Sequence, residues 1–258
     1  SWYENNGSSD PSFAGVDLET GNFIYSVIAA DLDKDGDMDI IATSGYLAWF
    51  ENDGAVNPSF TKNVIQSTSS TLFYGVDIGD IDNDGDLDIA VADEGNQKIK
   101  WFENDGNSNP SFSSSDVVSS FGSVREVYLA DLDNDGDLDI ASASNGDNTI
   151  AWHENDGNNN PSWTKNLIAN SSNSATDIRA ADIDGDGDLD LLATNQVDDS
   201  VKYYENNGKT NVTFTESTIA TSADGAYQLF TGDLDSDGDL DIVSASYNDH
   251  TIAWYESD

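Results

Sequence analysis

Apolar residues in this chain come in short bursts spaced two apart, and the bursts recur on a fixed beat. Val27, Val76, Val127, Ile178 and Leu229 align with one another, and two positions on stand Ala29, Ile78, Leu129, Ala180 and Thr231. A period of two marks a strand with one buried face, and it predicts a strand A over residues 25–30, 74–79, 125–130, 176–181 and 227–232. About ten residues later come runs of β-branched and small residues (40–44, 89–92, 140–144, 191–194, 242–246), which read as a strand B buried on both faces. Turn-prone residues follow, and then a strand C carries an aromatic marker at Trp49, Trp101, Trp152, Tyr203 and Trp254. A Glu stands two positions after each marker, at Glu51, Glu103, Glu154, Glu205 and Glu256. An Asn-Asp-Gly or Asn-Asn-Gly turn leads to a fourth strand such as 60–65. Four strands joined by tight turns describe one propeller blade. The expected fold is therefore all-β, a single β-propeller domain over residues 1–258 built from five four-stranded repeats of about 51 residues.

Between strands A and B, every repeat has the sequence Asp-x-Asp-x-Asp-Gly-Asp-x-Asp. The five copies are Asp31, Asp33, Asp35, Asp37 and Asp39; Asp80, Asp82, Asp84, Asp86 and Asp88; Asp131, Asp133, Asp135, Asp137 and Asp139; Asp182, Asp184, Asp186, Asp188 and Asp190; and Asp233, Asp235, Asp237, Asp239 and Asp241. Their first residues are 49, 51, 51 and 51 positions apart. Carboxylates at positions 1, 3 and 5, a backbone carbonyl at 7 and a carboxylate at 9 would surround a cation with hard oxygens, and Gly at position 6 permits the sharp turn. That donor set selects Ca2+, about five ions in all, over Mg2+, zinc or copper. A helical calcium hand is excluded because position 12 is Ala42, Val91, Ser142, Ala193 or Ser244 rather than Glu, and it falls within a strand.

These loops, best seen in Ala-Asp-Leu-Asp-Asn-Asp-Gly-Asp-Leu-Asp-Ile-Ala at 130–141, and the strand Ile-Ala-Trp-Tyr-Glu at 252–256 resemble the FG-GAP and VCBS repeats of calcium-binding β-propellers. That group includes the integrin α head and many secreted bacterial surface proteins. The resemblance spans essentially the whole chain and implies calcium on one face of a ring. Its members usually have seven or eight blades, and five repeats depart from that. The count becomes five closed blades if the N-terminal segment 11–18 supplies the outer strand that the last repeat lacks. Ser1-Trp2-Tyr3-Glu4 repeats strand C a sixth time, however, and a segment cut from a longer array is the alternative reading.

Charge narrows the partners. Fifty acids against nine bases give −41, and five divalent ions would leave −31. Phosphate backbones and anionic membranes are thereby excluded as natural partners. No cysteine is present, and a chain dependent on calcium suits an extracellular compartment. No apolar run is long enough to span a membrane, and the start at Ser1 is that expected of a processed or excised piece of a longer chain or assembly.

The aromatic markers and the Glu after them recur in every repeat, which favours packing and structural hydrogen bonding over catalysis. His153 and His250 lack the context of a general base. Residues that differ between repeats are the better candidates for ligand contact. Two strand A slots qualify: Ile28, Asp77, Tyr128, Arg179 and Phe230 in one, and Ser26, Gly75, Glu126, Asp177 and Gln228 in the other. The loops before strand A, such as 66–73, share a rim opposite the calcium loops. The expected function is a calcium-stabilised extracellular binding or adhesion module, not an enzyme, that recognises a glycan or cell-surface protein on that rim. The alternatives are a polysaccharide-degrading enzyme, as some similar propellers are, and a structural spacer.

Overall fold

The structure is a computed structural model that describes residues 1–5, 7–8, 12–67, 72–209 and 211–257. Part of the expected 66–73 loop, residues 68–71, and the first residue of the expected 11–18 strand lie outside the described residues. The chain opens with a hairpin of β1 (Trp2–Asn5) and β2 (Phe13–Val16). Four antiparallel four-stranded sheets follow. The first holds β3 (Ser26–Ala30), β4 (Asp39–Thr43), β5 (Tyr46–Asn52) and β6 (Phe60–Ser67), and the second β7 (Phe73–Gly79), β8 (Asp88–Asp93), β9 (Lys98–Asn104) and β10 (Phe112–Ser119). The third comprises β11 (Val124–Ala130), β12 (Asp139–Ser144), β13 (Thr149–Asn155) and β14 (Trp163–Ala169); the fourth, β15 (Ala175–Ala181), β16 (Asp190–Asn195), β17 (Ser200–Asn206) and β18 (Phe214–Ala220). The last sheet has three strands, β19 (Ala226–Gly232), β20 (Asp241–Ser246) and β21 (Thr251–Tyr255). Each sheet runs in sequence order from an inner strand A outward, as propeller-like repeats do. Position 9 of every Asp loop is the first residue of its strand B.

Alternation along the strands gives each sheet two apolar faces, and the cores lie between successive sheets. Ile41, Leu47 and Trp49 of the first sheet pack against Phe73, Val76, Ile89, Val91 and Phe102 of the second. The same slots recur in Ala90, Ile99 and Trp101 against Val127, Ile140 and Ala151, and in Ala141, Ile150 and Trp152 against Ile178, Leu191 and Tyr204. The markers Trp49, Trp101 and Trp152 are thus buried packing residues, each contributing on the order of 2–3 kcal/mol by burial. The last sheet shows the face that its predecessors cover. Ile252 is 79% exposed and Trp254 51%, whereas Leu47, Ile99, Ile150 and Val201 in the Ile252 slot are at 0%.

Among the described residues, the expected closure by the N-terminal segment is not formed. β2 pairs with β1, joining Trp2 to Val16 and Asn5 to Phe13, in the register that joins Trp49 to Asn63 and Asn52 to Phe60 inside the first sheet. Because residues 2–5 are themselves a strand of type C, they satisfy the outer strand locally, and the last sheet stays three-stranded.

Candidate metal loops and axial cavity

Each Asp loop winds tightly from strand A to strand B. Gly at position 6 sits at φ between +93° and +105° in all five copies (Gly36, Gly85, Gly136, Gly187, Gly238), a conformation that a side chain would strain. Its N–H donates to the position 1 carboxylate in four loops: Gly36 to Asp31 (3.1 Å), Gly85 to Asp80 (3.0 Å), Gly136 to Asp131 (3.0 Å) and Gly187 to Asp182 (3.1 Å). Carboxylate oxygens converge to within 4.8 Å of one another in five clusters, Asp31/Asp33/Asp35, Asp80/Asp82/Asp84, Asp131/Asp133/Asp139, Asp182/Asp184/Asp190 and Asp233/Asp235/Asp237.

Two oxygens at position 1, Asp80 Oδ1 and Asp182 Oδ1, are buried without a hydrogen-bond donor. An oxygen-only cluster with orphaned buried acceptors fits a hard divalent cation, and the five clusters can each hold one. Like charges crowded into buried space also leave their mark on acidity. Burial pushes the Asp82 and Asp133 carboxyls above their usual range, with neighbouring carboxylates adding to the effect.

Position 7 has other work, and position 9 has a second role beside the clusters that Asp139 and Asp190 join. The position 9 carboxylates are buried brackets. Asp139 accepts from Leu132 N (3.1 Å) and Asn155 N (2.8 Å), and Asp39, Asp88, Asp190 and Asp241 accept in the same way. Burial pushes Asp39 up to about 6, Asp88 to about 7 and Asp139 to about 8. The position 7 side chains stand outside the clusters, which leaves their backbone carbonyls as the expected ligands. They lean on the glycine of the turn after strand C: a Cβ added to Gly54, Gly106, Gly157 or Gly208 would stand within 2.2 Å of Asp37, Asp86, Asp137 or Asp188. They also receive position 4 of the preceding loop, where Lys34 meets Asp86, Asn83 donates to Asp137 (2.6 Å) and Asn134 to Asp188 (2.6 Å).

One residue type was hidden from the sequence pattern. The Asn that opens the turn after strand C joins adjacent loops. Asn104 Nδ2 donates to Leu32 O and Leu87 O (both 3.1 Å), Asn155 to Ile81 O (2.9 Å) and Leu138 O (3.1 Å), and Asn206 to Leu132 O (2.8 Å) and Leu189 O (3.0 Å). Its recurrence at Asn52, Asn104, Asn155 and Asn206 was the available signal. In the first three sheets the Glu after the aromatic marker is a cross-strand partner, with Asn63 donating to Glu51 (3.2 Å), Ser113 to Glu103 (2.9 Å) and Asn166 to Glu154 (3.2 Å).

The inner strands run from the opposite mouth toward these loops and surround two cavities. One, of about 60 Å³, is lined by Tyr25, Tyr74, Gly75, Arg125, Glu126, Thr176, Asp177, Tyr227 and Gln228. The other, of about 260 Å³, includes Ile28, Asp77, Glu126, Tyr128, Arg179 and Phe230. Both variable slots of strand A therefore face the axis. A groove of about 330 Å³ also lies between the first and second sheets, lined by Trp49 and Phe112 among others; these two belong to the repeat pattern.

Asp77 and Asp177 are stitches between neighbouring inner strands. Asp77 accepts from Ile78 N (2.9 Å) and Leu129 N (2.7 Å), and Asp177 from Ile178 N (2.9 Å) and Leu229 N (2.8 Å). Arg179 pairs with Asp177 at 3.2 Å. Glu126 folds over Gly75, where an added Cβ would stand 2.3 Å from its Oε1, and burial pushes its carboxyl up to about 8, with the Asp177 charge adding to the shift. His153 is fully buried between Ser142 (3.0 Å) and the edge of Phe121, and desolvation holds it down at about 3 and so neutral.

Fold and loops together define a class: a repeat protein of antiparallel sheets, four of them four-stranded and the last three-stranded, each with an acidic loop at its A–B turn that could hold a cation. The family model for the FG-GAP-like repeat matches residues 40–91, 80–142, 131–193 and 191–244, so the chain belongs to the FG-GAP-like repeat family. A search of curated proteins found no match. Repeats of this kind are typical of adhesion, binding or structural modules. Among the described residues no helix is long and apolar enough to cross a membrane.

Proposed function

We propose that the chain is an extracellular binding or adhesion module that Ca2+ stabilises through the five Asp loops, and that it recognises a glycan or cell-surface protein at the mouth opposite those loops. One observation carries the reading. Residues that repeat form the acidic loops and the inter-sheet cores, while residues that change line the axis between the inner strands, with Tyr25, Tyr74, Arg125, Thr176 and Tyr227 at the end away from the loops. A rigid scaffold presenting variable side chains at one rim is the arrangement binding propellers use. FG-GAP-like repeats are usual in extracellular and surface proteins, where calcium is abundant enough for surface-exposed carboxylate loops.

A non-enzymatic role is supported by His153, whose ring is enclosed and neutral. The test is to apply the calcium-loaded chain to glycan and cell-surface protein arrays, with acidic polysaccharides assayed alongside. Retention of a defined ligand supports the reading. An empty array overturns it in favour of a spacer, and release of shortened saccharides overturns it in favour of an enzyme.

A further inference from the structure

The axial mouth is built more deliberately than a solvated rim. The first slot of the inner strands holds Tyr25, Tyr74, Arg125, Thr176 and Tyr227, and both arginines of the chain, Arg125 and Arg179, lie on inner strands facing the axis. They stand at two levels of it: Arg125, second in β11, lines the smaller cavity at the mouth, and Arg179, three residues before the Asp182 loop, lines the larger one. Arg125 is held in position by its neighbours. Its guanidinium lies 4.2 Å over the Tyr74 ring, Tyr74 lies 4.2 Å from Tyr25, and Glu94 Oε1 is 4.0 Å from Arg125 Nη2. Such a stack fixes donor directions before any ligand arrives, which lowers the ordering cost of binding. The free ring surface is at Tyr227, 49% exposed, and at Tyr25, 38% exposed, and both line the same cavity as Glu126 and Gln228.

Charge and size select the occupant. An anion would meet the Asp177 carboxylate and the field of a chain of −41. A bare cation would meet Arg125 and Arg179, while Asp77 and Asp177 already spend their oxygens on backbone N–H groups. What remains is a neutral molecule with an apolar face for a tyrosine ring and several hydroxyls for a carboxyl, a guanidinium and an amide. The smaller cavity, about 60 Å³, has room for only about two waters, so an occupant rests across its mouth on the exposed rings as one small unit rather than being enclosed.

We propose that this mouth binds a single neutral sugar unit, with Tyr227 and Tyr25 as the stacking faces and Glu126, Arg125 and Gln228 as the hydroxyl partners. The inference rests on the binding-module reading above and narrows it to a site and a ligand class. The test is titration of the calcium-loaded chain with a panel of neutral methyl glycosides, followed by calorimetry and saturation-transfer NMR, with Tyr227→Ala and Glu126→Gln as variants. Tyr227 is half exposed and Gln matches Glu in shape, so both variants keep the fold, and melting curves verify it.

The expected result is saturable binding of at least one glycoside, weakened about tenfold or more by each variant, the loss typical of a central contact residue. Array binding that neither variant changes would overturn this site while leaving the module reading intact. Saturable binding of methylguanidinium or of methyl glucuronide with no binding of neutral glycosides would overturn the ligand class. No binding of any glycoside would overturn the proposal, and it would leave the wider reading to the protein array.

Discussion

Asn155→Ala should be among the most damaging substitutions that leave every carboxylate in place. The side chain is 1% exposed, and its Nδ2 serves two main-chain carbonyls at once, Ile81 O in the preceding loop at 2.9 Å and Leu138 O in its own loop at 3.1 Å. Truncation leaves both acceptors without that donor. Each orphaned buried acceptor costs about 1–2 kcal/mol, so the total is about 2–4 kcal/mol. Asn52 occupies the same slot in the first sheet, but its Nδ2 donates to one carbonyl, Met38 O at 3.0 Å, in a more exposed setting. Asn52→Ala should therefore cost only about 0.5–1 kcal/mol. Urea unfolding at fixed calcium, followed by far-UV circular dichroism and tryptophan fluorescence, measures both. Equal losses in the two variants, or a loss below about 0.5 kcal/mol at Asn155, would refute the idea that this amide ties neighbouring loops together.

Slot equivalence gives a second contrast. Ile150→Ala should cost about 2–5 kcal/mol because the side chain is fully buried between sheets, whereas Ile252→Ala, in the same slot at 79% exposure, should stay within about 0.5 kcal/mol; denaturation midpoints decide. The third prediction concerns pH. In the folded chain Glu126 holds its proton up to about 8, while unfolded it ionises near 4.5, so between those values the folded state binds more protons and stability falls as pH rises. Glu126→Gln should remove that component of the slope in a series of melts from pH 5 to pH 8, and an unchanged slope would show that the carboxyl is not desolvated. Gly75→Ala should destabilise by about 1–3 kcal/mol, since its Cβ would stand 2.8 Å from the Glu126 Cα as well as against the carboxylate; thermal melts measure it, and a neutral result would mean the two inner strands are not in close contact.

Much of the architecture was legible because each loop position has its own chemistry. Acid at 1, 3 and 5 and Gly at 6 define a turn of fixed length, so the strands on either side fell into place, and Val76, Val127, Ile178 and Leu229, two residues from the next apolar slot, gave the inner strand its buried face, whereas Val27 in the first sheet is 65% exposed. The buried roles of Trp49, Trp101 and Trp152 followed from recurrence beside small residues.

What stayed hidden depends on the neighbouring sheet. Asn104 looks like a turn residue, and only the stacking of sheets shows that its amide reaches Leu32 O, 72 positions earlier. The same holds for Asp77, which reads as a variable ligand candidate and proves to be a stitch to Leu129. The expected closure failed for a local reason. A strand of type C stood next to the segment in the sequence, and the short hairpin formed in preference to a contact across the whole chain.

The central claim is that the five Asp loops are Ca2+ sites that hold the sheets in register. Calorimetric titration of Ca2+ into the metal-stripped chain, with a thermal melt at each point, tests it most directly. The account predicts heat that saturates at about five ions per chain, a steep rise in Tm over the same range and a much weaker response to Mg2+. No heat and a Tm unchanged between chelator and excess Ca2+ would contradict it.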